Sequence, residues 1–181
     1  AEMCGNGARV CAHVLVARGF LPADTEQGAF GTRAGRKEFR IHDYADDGTW
    51  ADVEIAMGEV ELMGISSAEF AGQHVAGLAL SVGNPHLACV LPNLNAEQLA
   101  AMDFRQPPEF DTEFFPAGSN LEILTPLREG RTSMRVYERG VGETQSCGTG
   151  TVASAFAALA DAGMENGIVT ISVPGGELKV R

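Results

Sequence analysis

The sequence predicts an α+β fold of two pseudo-symmetric domains, each with a curved mixed or antiparallel sheet wrapped around a central helix. The first observation behind this prediction is an internal repeat, because Cys-Gly-x-Gly occurs at Cys4 and again at Cys147. The second is an apolar stretch of helix length after each cysteine, and the third is a hairpin pattern after each stretch. Self-similarity of this kind is typical of duplicated architectures, so we expect two copies of one unit.

The first copy, CGNGARVCAHVLVARGF, predicts a helix that starts after Cys4 and ends near Gly19. Glycine is favoured just past a helix C-terminus because it adopts the left-handed backbone conformation without strain. A hairpin should follow, with strands at 29–33 and 39–41 on either side of Gly35.

Between the two copies, short β-like runs alternate with turn residues. The turn signal Asp46-Asp47-Gly48 is the predicted boundary between residues 1–47, the remainder of a first domain, and residues 48–181, a second domain. The elements predicted after this turn are strands at 50–57, at 74–90 with a break at Gly83 and Pro85, and at 134–137, a helix at 95–102 capped by Asn95, and a loop at 105–118.

The second copy, CGTGTVASAFAALADAGM, repeats the pattern of the first. A helix should start after Cys147 and end near Gly163. Strands at 168–173 and 178–180 should then form a hairpin around Gly175-Gly176.

Composition and charge exclude several classes of protein. With 45% hydrophobic and 20% charged residues the chain should be globular, and no apolar run approaches the ~20 residues of a membrane-spanning helix. A net charge of −11 with only two lysines, Lys37 and Lys179, argues against nucleic-acid binding and against a pyridoxal-phosphate enzyme. The four cysteines lack zinc-ligand spacing, so we expect no metal and reduced thiols in the cytoplasm.

The repeated cysteines carry the functional prediction. A thiol at a helix N-terminus faces unpaired backbone N–H groups, which should lower its pKa from ~8.5 toward neutrality. The glycines after Cys4 and Cys147 would let a small carboxylate reach these N–H groups. If the two helices faced each other across a cleft, one thiolate could remove a proton from a carbon and the other thiol could return one to its opposite face. Cys11 and Cys89 lie in apolar runs and are expected in the core.

Three motifs resemble the signatures of the diaminopimelate epimerase family, in the same order along the chain. They are MCGNGAR at 3–9, GNPH at 83–86 and ERGVGETQSCGTG at 138–150. The resemblance covers essentially the whole chain and implies the duplicated fold, an isomerase without a cofactor, and epimerisation of L,L-diaminopimelate to meso-diaminopimelate for lysine and peptidoglycan synthesis. It also implies a homodimer. Because family members extend beyond both ends of this sequence, we expect a fragment that needs further segments for turnover.

The resemblance also implies a role for each matching residue. Cys4 would be the acid and Cys147 the base in one direction, with the roles exchanged in reverse. His86 and Glu138 would lie close to the thiols and to the α-ammonium group and tune protonation. Arg139 would bind the distal carboxylate, since a guanidinium fork matches that group. The residues implied in substrate binding are Gly5, Asn6, Asn84, Asn120, Glu138, Arg139, Gly148 and Thr149.

Two alternatives stay open. Proline racemases and hydroxyproline epimerases are similar at the second Cys-Gly-Thr-Gly, but they usually carry His where Asn6 stands. A catalytically silent module of the same fold could instead bind an amino acid, and its cysteines would then be incidental or would form a disulfide. Thiol reactivity separates this module from an enzyme, and substrate preference separates the two classes of enzyme.

Overall fold

The structure, a computed structural model, divides into two compact units. These units are Ala1–Gly58 and Glu59–Arg181. Met3 of the first motif and Asp46 of the predicted boundary turn lie outside the described residues. The structure describes residues 4–33, 35–45 and 47–181.

The first unit packs one helix on an antiparallel sheet of three strands, among its described residues. Its elements are α1 (Gly5–Ala17), β1 (Gln27–Thr32), β2 (Gly35–Tyr44) and β3 (Ala51–Ile55). Ala12 and Val16, one turn apart on α1, pack against Phe39, Ile41 and Val53 of the sheet. This spacing of apolar residues is why the segment forms an amphipathic helix on a sheet.

The division between the units lies later than the sequence predicts. It follows Gly58, whereas the predicted boundary follows Asp47. The reason is that β3 pairs with β2 in antiparallel register, so the strand after the turn completes the sheet of the first unit.

The second unit contains a mixed sheet of nine strands over residues 59–181. Its elements are β4 (Glu61–Phe70), β5 (Gln73–Ser81), β6 (Pro85–Val90), α2 (Ala96–Ala101), β7 (Glu109–Phe110), β8 (Asn120–Leu124), β9 (Arg131–Glu138), β10 (Gly142–Thr144), α3 (Gly148–Asp161), β11 (Val169–Val173) and β12 (Gly176–Val180). The strand order is β12-β11-β9-β8-β6-β5-β4-β7, with β10 paired to β9. Two strand pairs, β6 with β8 and β9 with β11, are parallel.

Both faces of the central strands β6 and β8 are covered. Ala88 and Leu124 belong to the core that holds the buried alanines of α3, whereas Leu87 and Leu121 belong to a second core on the other face. Successive side chains of a strand point to opposite faces. His86, two residues before Ala88, and Glu122, two residues before Leu124, therefore lie on the α3 face of the sheet.

The structure confirms the predicted α+β fold and most of its elements. α1 and α3 end just before Gly19 and Gly163, which adopt positive φ of 71° and 68°. Asn95 caps α2 in a capping box with Gln98. The loop at 105–118 holds only the short strand β7. Among the described residues, no helix is both long enough and apolar enough to cross a membrane.

Four strands and one cysteine differ from the predictions. β4, β7, β8 and β10 were not predicted from the sequence. Cys89 is fully buried, as predicted, but the prediction for Cys11 is wrong because its side chain is exposed. The buried stripe of α1 follows Ala8, Ala12 and Val16, and Cys11 lies beside this stripe.

Candidate active site

Cys4 is the N-cap of α1. Its backbone is extended, with φ −132° and ψ 100°, and its Sγ accepts a hydrogen bond from the backbone N–H of Gly7 at 3.3 Å. Its carbonyl accepts the first helical hydrogen bond, from Ala8 at 2.9 Å. The thiol thus occupies the position at which Ser or Asp usually caps a helix, and the side chain is exposed.

Cys147 caps α3 with the same local geometry. Its φ is −121° and its ψ is 118°, Sγ accepts from the N–H of Gly150 at 3.4 Å, and its carbonyl accepts from Thr151 at 2.8 Å. The difference lies in the surroundings, because Cys147 is only 8% exposed. The sequence repeat therefore corresponds to a repeated thiol cap, open to solvent in the first unit and buried in the second.

Burial raises the pKa of the Cys147 thiol to about 11. The nearby carboxyl groups of Glu122 and Glu138 act in the same direction. The hydrogen bonds from Thr149 and from the Gly150 N–H act against them but are weaker. The prediction of a lowered pKa at this helix start is therefore wrong for Cys147, since loss of hydration outweighs the helix N–H groups.

A chain of polar side chains reaches Cys147 from the sheet. His86 and Glu122 are both fully buried, and Nδ1 of His86 lies 2.7 Å from Oε1 of Glu122. Nε2 of His86 lies 3.1 Å from Oδ1 of Asn84, whose Nδ2 donates to Oγ1 of Thr149 at 3.3 Å. Oγ1 of Thr149 lies 3.5 Å from Sγ of Cys147. The structure thus connects His86, Asn84 and Thr149 with the thiol through successive hydrogen bonds.

Glu122 is the site residue that sequence reasoning missed. It interrupts the otherwise apolar run Leu121 to Leu124, in a strand that is buried at every position. A charged residue is rarely fully buried unless it is paired, so a lone Glu within an apolar run is the signal that could have found it. Its partner His86 is distant in sequence and becomes adjacent only because β6 and β8 pair in parallel register.

Gly150 lies directly above Glu122. A Cβ atom built on Gly150 would lie 2.5 Å from Oε1 of Glu122, closer than real side chains approach. The second glycine of the Cys147 motif is therefore needed for the close approach of a carboxyl group beneath α3, whereas the sequence predicts that it admits a ligand.

Asn120, Glu138 and Arg139 meet where β8 starts and β9 ends. Oδ1 of Asn120 accepts a hydrogen bond from the backbone N–H of Arg139 at 2.8 Å, and Oε1 of Glu138 accepts from Oγ1 of Thr144 at 2.5 Å. The side chain of Arg139 is exposed and passes beside Gly118. Asn120 therefore orients the backbone next to Arg139 and leaves the guanidinium at the surface.

In the first unit the residues after Cys4 form their own cluster. Gly5 is buried, and Oδ1 of Asn6 accepts a short hydrogen bond from the guanidinium of Arg9. Partial burial lowers the pKa of Arg9, while nearby Cys4 and Asp52 act in the opposite direction. Arg9 lies within the first motif, but sequence reasoning gave it no role.

The described residues contain no group of three or more His, Cys, Asp or Glu side chains placed to hold a metal ion. Potential ligands for an anionic group are instead the backbone N–H groups at the starts of α1 and α3 and the guanidinium of Arg139. Each unit offers a sulfur beside the backbone N–H groups of a helix start, an arrangement that is suited to proton transfer beside a carboxylate.

A scan of protein families matches residues 78–181 to the family described as diaminopimelate epimerase. Similar curated proteins named diaminopimelate epimerase occur in Corynebacterium aurimucosum (54% identical over 180 residues), Corynebacterium glutamicum (53% over 181) and Rhodococcus erythropolis (51% over 180). These matches cover 99%, 100% and 99% of this chain and 63%, 64% and 60% of the relatives. The chain thus spans about three-fifths of the length of these relatives.

Among solved structures, a phenazine biosynthesis protein of the PhzF family from Bacillus anthracis superimposes with a TM-score of 0.64. The match covers 99% of this chain and 67% of that protein, at 15% sequence identity, and it shows the fold alone. The family match extends over more than half of the chain, and the three sequence motifs occur in the expected order. The chain belongs to the diaminopimelate epimerase family.

Proposed function

We propose that this chain forms part of an enzyme that interconverts L,L-diaminopimelate and meso-diaminopimelate without a cofactor, with Cys4 and Cys147 as the two proton-transfer groups. The observation that carries the proposal is the repeated thiol cap. Each sulfur accepts a backbone N–H at the start of a long helix, at 3.3 Å from Gly7 and at 3.4 Å from Gly150. Inversion at carbon needs two such groups, whereas binding an amino acid needs neither.

The proposed reaction balances with these two groups alone. One cysteine, as a thiolate, removes the α-proton, and the electron pair stays on the α-carbon and is delocalised into the carboxylate. The other cysteine, as a thiol, gives its proton to the opposite face of that carbon. Helix N–H groups directed at the carboxylate would stabilise the charge that develops there. The product leaves the two cysteines with their protonation states exchanged, and the reverse reaction restores them.

The buried state of Cys147 fits the role of proton donor in the substrate-free protein, since its pKa is about 11. To act as the base it must lose this proton. A substrate α-ammonium group close to the sulfur would favour the thiolate, because an opposite charge stabilises the ionised form. We propose that Glu138 and His86 tune this proton exchange, as the resemblance implies.

The substrate-binding residues divide by chemistry. We propose that Gly5, Asn6, Gly148 and Thr149 hold the reacting end through N–H and side-chain donors at the two helix starts. Asn84 and Asn120 would also bind the substrate, and the exposed Arg139 would hold its distal carboxylate, with which a guanidinium can form two hydrogen bonds. The proposal places the enzyme in lysine and peptidoglycan precursor synthesis and in the cytoplasm, where thiols are kept reduced.

The test is substrate preference in the chain extended to the length of its curated relatives. NMR would follow loss of the α-proton signal of L,L-diaminopimelate in heavy water under reducing conditions, beside proline and 4-hydroxyproline. We expect exchange and epimerisation of diaminopimelate alone. In Arg139→Gln we expect weaker diaminopimelate binding, seen as a raised KM.

Exchange of proline in place of diaminopimelate would identify a proline-type racemase. If the folded, reduced protein exchanged none of the three substrates, the epimerase proposal would fail and the silent binding module would take its place.

A further inference from the structure

Arg9 is a charged residue of the first motif to which the proposed reaction gives no role. It lies in α1, three positions after Asn6. Residues three positions apart in a helix are neighbours on one face, so the two side chains meet near the start of α1. Arg9 is half-buried, although arginine side chains are mostly exposed. A half-buried cation beside a proposed substrate-binding residue points to a function at this end of the helix.

The contact between Arg9 and Asn6 has only one possible direction. Nη2 of Arg9 donates a hydrogen bond to Oδ1 of Asn6. A guanidinium carries five donor N–H groups and no acceptor, so the atom of Asn6 that it meets must be the amide oxygen. The bond therefore determines how the planar Asn6 amide is turned. Its oxygen faces Arg9, and its NH2 group is directed elsewhere.

The surroundings of Arg9 keep this donor in place. Partial burial lowers the pKa of Arg9, but nearby Cys4 and Asp52 of β3 act in the opposite direction. A guanidinium stays protonated in proteins, so its hydrogen bond to Asn6 is not switched off by a change of pH. Arg9 is therefore a permanent donor to Asn6.

The second repeat has a corresponding contact. Thr149 stands at the position that Asn6 has in the first repeat, and its Oγ1 accepts a hydrogen bond from Nδ2 of Asn84 at 3.3 Å. An apolar residue, Val152, stands where the first repeat has Arg9, so the donor comes from outside the helix. In both repeats a donor side chain thus holds the polar side chain two positions after the cysteine.

We propose that Arg9 is a positioning residue: it holds the oxygen of the Asn6 amide, so that Asn6 meets the substrate with its NH2 group, as a donor to a carboxylate oxygen. A carboxylate only accepts hydrogen bonds, whereas an ammonium group only donates them. An amide turned the other way would present its oxygen to the carboxylate and repel it. Arg9 itself does not touch the substrate. The inference deepens the proposed epimerisation and rests on it.

The experiment compares the wild type with Arg9→Met, both in the chain extended to the length of its curated relatives. Methionine is an unbranched side chain with neither a charge nor an N–H donor, so it cannot replace the bond to Asn6. We expect the KM for L,L-diaminopimelate to rise by about tenfold, with a smaller change in kcat. Partial unfolding would instead lower kcat and leave KM unchanged. The rise in KM therefore separates positioning from a loss of stability.

The matched control repeats Arg9→Met in an Asn6→Ala background, where it should have no further effect on KM because the amide is already absent. An equal rise in both backgrounds would overturn the proposal, since Arg9 would then bind the substrate directly or act by its charge. An unchanged KM in Arg9→Met alone would also overturn it. Arg9→Lys keeps a cationic donor and should restore part of the affinity. Arg18→Met makes the same change at the exposed far end of α1 and should leave KM unchanged.

A measurement on the unmutated protein keeps the test open if Arg9→Met does not fold. The two Nη groups of a guanidinium exchange places by rotation, which a hydrogen bond slows. The ¹⁵Nη NMR signals of Arg9 should be separate in the wild type and averaged in Asn6→Ala. Averaged signals in the wild type would overturn the proposal. Separate signals in a protein that epimerises no substrate would refute the proposed function and still support the hold of Arg9 on Asn6.

Discussion

At the scale of single residues, Cys4 and Cys147 show how surroundings change one local geometry. Each sulfur accepts the same backbone hydrogen bond at a helix start, yet one is exposed and the other is buried beside two carboxyl groups. The N–H groups at a helix start are worth a modest free energy and act against a large desolvation cost. Position in a helix is therefore not sufficient to predict the protonation of a thiol, and burial decides it at Cys147.

Gly150 gives a direct test of the close packing between α3 and the sheet. We expect Gly150→Ala to lower the free energy of unfolding by about 1–3 kcal/mol, because its Cβ would lie 2.5 Å from Glu122 Oε1 and the gain in helix propensity is smaller. The measurement is urea unfolding followed by circular dichroism.

The matched control is Gly7→Ala, at the equivalent position of α1, where the added Cβ would lie 3.3 Å from Cys4 Sγ. We expect this change to be close to neutral. Equal losses of stability in the two variants would contradict the account of Gly150.

The sequence predicts most residues of the candidate site but misses Glu122. The two cysteines and their glycines are found from the repeat, and His86, Asn84, Glu138 and Arg139 are found from motifs. Glu122 is not found, because its contact with His86 depends on the pairing of β6 with β8. The paired residues of these strands lie more than 30 positions apart in the chain. The pKa direction at Cys147 could not be predicted either, since it depends on which side chains surround the sulfur.

At the scale of elements, Arg135 of β9 ties α2 to the sheet. Its Nη1 donates to the carbonyls of Leu99 at 2.8 Å and Met102 at 2.8 Å, its Nε pairs with Glu143 at 2.7 Å, and its guanidinium lies 4.0 Å from the ring centre of Phe104. A cation at a helix C-terminus satisfies carbonyls that have no partner within the helix. α2 is only six residues long, so it depends on such contacts.

We expect Arg135→Ala to lower the free energy of unfolding by about 2–3 kcal/mol, from the loss of several hydrogen bonds and the contact with Phe104. Urea unfolding measures the loss, and hydrogen exchange should show faster opening of α2. Arg105→Ala is the control, because Arg105 is an exposed partner of Asp103 and its removal should leave the stability almost unchanged. A similar loss of stability in the two variants would contradict this account of Arg135.

The elements that the sequence predicts are those with a strong local pattern. Both long helices have apolar spacing and a glycine at the end, and both hairpins have a central turn. β4 was missed because a register shift between Leu62 and Gly64 interrupts its alternation. β8 and β10 have five and three residues, and their pairing comes from tertiary contacts.

At the scale of the whole molecule, the stability of the second unit is coupled to its buried thiols. Burial raises the pKa of Cys147 to about 11 and that of Cys89 to about 12, from an ordinary value of 9.0. Between pH 9.0 and these raised pKa values, the folded chain keeps the thiol protons that the unfolded chain has lost. The stabilisation is therefore complete below pH 9 and is lost as the pH rises through the folded pKa values.

We expect the free energy of unfolding to fall by about 1.4 kcal/mol per pH unit for each of the two thiols above pH 9. Urea unfolding at pH 8, 9, 10 and 10.5 measures the slope. In Cys89→Ala the fall in unfolding free energy with pH should be shallower by the contribution of one thiol, about 1.4 kcal/mol per pH unit. Cys11→Ala changes an exposed position and should keep the wild-type slope. Parallel slopes in all three proteins would contradict this coupling.

Family membership and one chemical requirement, a proton-transfer group on each face of the substrate carbon, together point to an epimerase. Because the chain spans about three-fifths of the length of its relatives, the activity belongs to the extended chain in our proposal. The central claim is that Cys4 and Cys147 each exchange a proton with one face of the substrate carbon. A single thiol could remove and return a proton on its own face but could not invert the centre.

The most direct test is deuterium exchange by the extended chain carrying Cys4→Ala or Cys147→Ala. NMR in heavy water would follow L,L-diaminopimelate and meso-diaminopimelate separately. We predict that neither variant epimerises, that one exchanges an α-proton of the L,L isomer only, and that the other exchanges only the D-centre of the meso isomer. Epimerisation by either variant, or exchange of the same centre by both, would contradict the two-base account.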